Sequence, residues 1–172
     1  MRFTKVVPFL GAALAFGATS LSAQGTCTTT PSCTVTNTAS ATVNTVARLT
    51  LDADNTDLGT PAEADFIAGH KDAAGPTATV LSNTAWHVSV VGNTPSFGAA
   101  GVGARASKPA SDLLWGTTVG TYGNNAGTAA TLFNGNGTAG SSQQAFYRTN
   151  WSFTLDTPGT YTLVVNYTLS EP

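Results

Sequence analysis

Charge is what this chain has least of: Asp, Glu, Lys and Arg make up 9% of its 172 residues, against roughly 25% in an ordinary soluble domain. Thr, Ser, Asn, Ala and Gly must therefore cover much of its surface, and charge-poor surface is the kind that interfaces favour. The seven basic residues form no run, so nothing can neutralise a row of phosphates, which argues against nucleic acid as a partner. Glutamate occurs only at Glu63 and Glu171, and several aspartates crowd into one turn, which denies the flanking carboxylates of a glycosidase. Histidine occurs only at His70 and His87, in separate segments and without metal-binding spacing. No Gly-x-Ser-x-Gly elbow is present. These absences give no catalytic residue and no cofactor, and the chain reads as a non-enzyme.

Long apolar runs are also missing, except for Val6 to Phe16 behind Arg2 and Lys5, which ends in the small residues Ser20, Ser22 and Ala23. That order of charged, apolar and small residues is a secretory signal, and the run is too short to anchor in a bilayer. We expect cleavage after Ala23, no transmembrane segment in the mature chain, and an exported protein that is extracellular, cell-surface or periplasmic. Losing Arg2 and Lys5 leaves five basic residues against nine acidic ones, so the formal charge moves from −2 to −4. The two cysteines, Cys27 and Cys33 in GTCTTTPSC, lie close together beyond the signal and read as a local disulfide. The expected division is 1–23 signal peptide, 24–37 N-terminal segment with the disulfide, and 38–172 one domain.

What is abundant is strand patterning. The densest stretch, Gln144 to Leu169, places Tyr147, Thr149, Trp151, Phe153 and Leu155 on one face, and Tyr161, Leu163, Val165, Tyr167 and Leu169 on another run's face. It reads as a β-hairpin closed at Pro158-Gly159, with Gly159 taking the positive φ of a type II turn. A long first strand is expected over Thr38 to Leu51. Thr60 to Gly69 predicts a short helix capped by Thr60 and Glu63 and closed by Gly69. Gly75-Pro76 should interrupt the chain, and Thr77 to Ser82 with Ala85 to Gly92 should form a second hairpin anchored by Trp86. Leu113 and Trp115 are expected on a buried strand, and ATLF on an edge strand. Recurring strands with no crossover helices predict an all-β fold, a single antiparallel β-sandwich with one helical turn near residues 61–68.

The ending FTLDTPGTYTLVVNYTL resembles the last hairpin of bacterial secreted immunoglobulin-like and PKD-like surface modules, in which an aromatic strand leads through Pro-Gly to a Tyr-x-Leu/Val-x-Val strand. SNTAWHVSV is more loosely similar to hairpins of bacterial coat and WxL-type surface proteins. The resemblance implies an immunoglobulin-like extracellular sandwich and supplies no catalytic residue.

Two ligand readings come from the residues themselves. Asp52, Asp54 and Thr56 match the first oxygen positions of a calcium loop and Glu63 its closing position, so the acidic turn Asp52, Asp54, Asp57 is the candidate metal site. Asp57 nevertheless stands where such a loop turns on glycine, and Glu63 has the competing capping role. Trp86, Trp115 and Trp151 could form a glycan-stacking row if exposed. The function expected is a secreted or cell-surface structural or adhesive protein with protein partners or self-assembly. The alternative is an extracellular ligand-binding module for glycans.

Overall fold

The computed structural model describes residues 26–28 and 31–171; the expected signal peptide lies outside them. The chain divides into Met1–Thr42 and a larger compact unit, Val43–Pro172. In the first, Cys27 and Cys33 are joined as a disulfide with their Cα atoms 5.8 Å apart. Residues 31–42 carry no strand and are exposed throughout.

The larger unit is antiparallel β, as its alternating apolar residues require. In chain order it contains β1 (Ala47–Leu51), α1 (Glu63–Ala68), β2 (His70–Ser82), β3 (Trp86–Gly92), β4 (Gly98–Ala100), a 3-10 turn (Ala110–Asp112), β5 (Leu113–Gly116), β6 (Asn124–Asn125), β7 (Ala130–Gly135), β8 (Thr138–Asn150), β9 (Thr160–Thr162) and β10 (Val165–Ser170). A five-stranded sheet has the order β1-β2-β8-β5-β6, a three-stranded sheet β10-β3-β7, and β4 and β9 pair separately. Ala78, Val80, Ala145, Tyr147, Leu113 and Trp115 of the larger sheet share one core with Trp86, Val88, Val90 and Leu132 of the smaller. The architecture is sandwich-like and all-β, with α1 its one α-helix among the described residues. Trp86, Leu113 and Trp115 are each 2% exposed or less, and ATLF lies on β7 at a sheet edge, as their patterns require.

The local pairings differ from the sequence reading. Gln144 to Leu169 is not a hairpin: β8 pairs with β2 and β5, whereas β10 pairs with β3 in the other sheet. The two strands share the core rather than a ladder, and the hydroxyls of Tyr147 and Tyr167 meet across it at 2.6 Å. Likewise β2 and β3 are consecutive but lie in different sheets, so the turn at Ser82 to Thr84 is a crossing. Alternation reports which face is buried and carries no label for the neighbouring strand, so hairpin and crossing look alike in the residues.

Three further differences are local. The first strand begins at Ala47, not Thr38, because its only ladder partner, β2, begins pairing at Ala47 opposite Ser82. Gly75-Pro76 does not break the chain; β2 runs through it with a register shift between Ala74 and Thr77, a bulge that accommodates a proline with no N–H to donate. Helix α1 is capped two residues later than expected. Ala62 is the N-cap, and Asp65, not Glu63, accepts the Ala62 N–H at 2.8 Å. Gly69 closes the helix in the left-handed region at φ 77°.

The expected core is also too generous at one end. Phe153 and Leu155 are 65% and 55% exposed, because β8 stops at Asn150 and the following residues coil into a turn in which Ser152 O accepts from Leu155 N and Asp156 N. Gly159 does not have a positive φ. It is held instead by close approach: a Cβ there would lie 2.5 Å from the Ala104 Cβ and 2.9 Å from Ala100 O.

Candidate functional site

The sandwich is incompletely closed. A cleft of about 510 Å³ opens between residues 51–61 and residues 159–165, with Phe97, Leu113, Tyr147, Thr149 and Trp151 among its walls. One side comes from the acidic turn and the approach to α1. The other comes from β9, the Leu163-Val164 step and the inward residues Val165 and Tyr167 of β10. Its lining is mixed, with Asp54, Asn55 and Asp57 on the side of the acidic turn and Leu163, Val165 and Tyr167 opposite. Thr149 Oγ1 and Trp151 Nε1 are buried without a hydrogen-bond partner among the described residues, and both side chains line the cleft. Burial raises the Tyr147 and Tyr167 phenols above the ordinary tyrosine value, Tyr167 the more strongly, so both hydroxyls stay neutral donors and acceptors.

Next to the cleft lies a dense group of opposite charges, which the sequence reading missed. Lys108 is 0% exposed; its Nζ donates to Asn150 O at 2.6 Å, Asp112 Oδ2 at 3.1 Å and Asp156 Oδ1 at 3.2 Å. The ammonium sits 4.4 Å from the Trp151 ring centroid and 5.9 Å from that of Phe97. Arg105 reaches Asp156 at 3.1 Å and Asp112 at 3.7 Å, while the other Asp156 oxygen accepts the Ser152 N–H at 2.9 Å. Two cations thus face two carboxylates. All three ammonium protons are used, which leaves Lys108 no lone pair or spare proton for chemistry. The group works as a clasp, fastening residues 105–112 to the turn after β8.

Tyr161 completes that corner. Its hydroxyl donates to Thr157 O at 2.6 Å and accepts the Arg105 N–H at 3.1 Å, and its ring meets Trp151 edge-on at 5.8 Å. The Tyr161 placement over the turn was legible in TPGTY; its link to Arg105 was not, since 56 residues separate them.

The candidate calcium ligands do not converge. Asp52 Oδ1 accepts the Thr77 N–H at 2.8 Å, Asp54 Oδ1 the Asn55 amide at 3.1 Å, and Asp57 Oδ1 the Gly59 N–H at 2.8 Å. Each carboxylate has a different partner, and the Thr77 N–H holds Asp52 below the usual carboxylate range. Among the described residues no three acidic, histidine or cysteine side chains gather at one point. His70 bonds Ala68 O through Nδ1 at 3.0 Å, and His87 lies on β3.

The three tryptophans form no exposed row. Trp86 and Trp115 are core, and Trp151 is half-buried, packed against Phe66, Tyr161 and Lys108 and lining the cleft. No helix among the described residues is long and apolar enough to cross a membrane. Compared with family models, curated proteins and solved structures, the chain matches none.

Proposed function

We propose that the chain is a non-enzymatic, exported protein that works at the cell surface or outside the cell as a structural or adhesive subunit. The observation that carries this reading is the open cleft, of mixed polar and apolar lining, bordered by β10, an edge strand of the smaller sheet without a charged side chain. Natural sheets guard such edges with lysines, prolines or covering loops, and β10 has no Lys or Pro. The clasp supports the non-enzymatic part, because its ionisable groups are paired with one another. The N-terminal charged, apolar and small sequence supports export.

Expression of the whole gene in a secreting host provides the test. The recovered chain should begin at or near Gln24, associate with itself as concentration rises in sedimentation equilibrium, and adhere to cells or to its own assemblies. A chain that stays monomeric over the whole accessible range and attaches to no cell surface removes the assembly role.

A further inference from the structure

The chain holds both halves of an unmade strand pairing. Residues 34–43, TVTNTASATV, alternate as a strand does: Val35, Ala39, Ala41 and Val43 share one face with a single polar residue, Asn37, and Thr34, Thr36, Thr38, Ser40 and Thr42 form the other. Every one of these residues is exposed and none lies in a strand, with Val35 53% and Val43 82% exposed. A segment patterned for a half-buried strand has no sheet to complete among the described residues. Immediately after it the chain is pinned, since Asn83 donates to Asn44 O at 2.8 Å and accepts the Val46 N–H at 2.9 Å.

The complementary half is β10. It pairs with β3 on one side, and among the described residues its other side has no ladder partner. Its inward residues Val165 and Tyr167 line the cleft, beside the unpartnered Thr149 Oγ1 and Trp151 Nε1. Neither β10 nor residues 31–47 contain a charged side chain, so neither carries the repulsion that keeps edges apart. The inward face offered by 34–43 is small, as a cleft of about 510 Å³ requires, and an extended backbone brings carbonyls for the indole N–H and the hydroxyl.

We infer that residues 34–43 of one copy add as a strand to the open edge of β10 in a second copy, with Val35, Asn37, Ala39, Ala41 and Val43 turned toward its cleft, where Asn37 can meet the polar part of the lining. Each copy has one such segment and one such edge. The contact is therefore head to tail and builds chains of copies unless a ring closes. The inference rests on the assembly reading above and names its partner.

The test uses period two. In the secreted chain, Ala39→Asp and Ala41→Asp should each weaken association by about tenfold or more, because a carboxylate would lose water on entering a cleft already lined by Asp54 and Asp57. Thr38→Asp and Thr42→Asp, on the opposite face, should weaken it far less. A peptide of residues 34–43 should compete, and hydrogen exchange at the β10 amides should slow on assembly. Unchanged thermal melting of the monomeric variants separates lost pairing from lost folding. If assembly persists in the Ala39→Asp and Ala41→Asp variants, or if both faces respond equally, the inference is overturned while the assembly role stands. A chain that never associates removes both.

Discussion

Lys108 is the residue whose environment says most about how this fold is held. An ammonium removed from water needs compensation on every proton, and here two carboxylates, a carbonyl and an indole face provide it. Lys108→Ala would leave Asp156, itself 8% exposed, with Arg105 as its remaining cation. We expect a loss of about 3 kcal/mol, read as a lower urea midpoint with an unchanged slope. Asp156→Asn added to Lys108→Met should recover part of that loss, since the pair then leaves no unbalanced charge in the core. KPASDLLW gave little notice of this role. Spacing places Lys108 and Asp112 four residues apart, but the partners Asn150 and Asp156 come from the far end of the chain. Contacts over such separations have no local signature, and lysine is ordinarily a surface residue.

At the scale of elements, what could be read was the period, and what could not was the pairing. The β3 and β10 segments alternate apolar with polar residues, which identifies strands and buried faces. The assignment of β8 and β10 to different sheets depends on where the turn after Asn150 sends the chain. That turn is set by Asp156, Ser152 and the clasp rather than by Pro158-Gly159. The start of β1 shows the same dependence, because the strand pattern runs upstream of Ala47 while its partner β2 ends at Ser82. Asn83 fastens that start through both amide atoms and its own N–H to Val46 O at 3.1 Å. Asn83→Ala should remove the two side-chain bonds and cost about 1–2 kcal/mol. Hydrogen exchange should show the loss first at the Ala47–Leu51 amides, with β8 amides slower to respond.

Across the whole molecule, electrostatics is local, and four of the five Lys and Arg residues among the described ones sit in ion pairs. Lys71 meets Asp65 at 3.0 Å, Arg148 takes Asp72 in two bonds of 2.6 and 2.8 Å, and Arg105 and Lys108 share the clasp. The bond from Arg148 lowers the Asp72 carboxyl, as the Ala62 N–H followed by Lys71 lowers Asp65 and the Thr77 N–H lowers Asp52. For carboxylates depressed in the folded state, the stability they add is present above the unfolded value near pH 4 and is lost as pH falls through their folded values. Urea midpoints should therefore hold steady above about pH 5 and fall below about pH 4, and Asp72→Asn should flatten the acid limb. A profile already declining from neutral pH would contradict this assignment.

The buried ammonium also has a practical consequence for anyone handling the protein. Lys71 and Lys108 are the two lysines among the described residues, and only Lys71, with 27% of its side chain exposed, meets solvent. Amine-directed dyes should therefore mark the folded domain at a single side chain, and a second mark would register each moment the corner at Lys108 comes open.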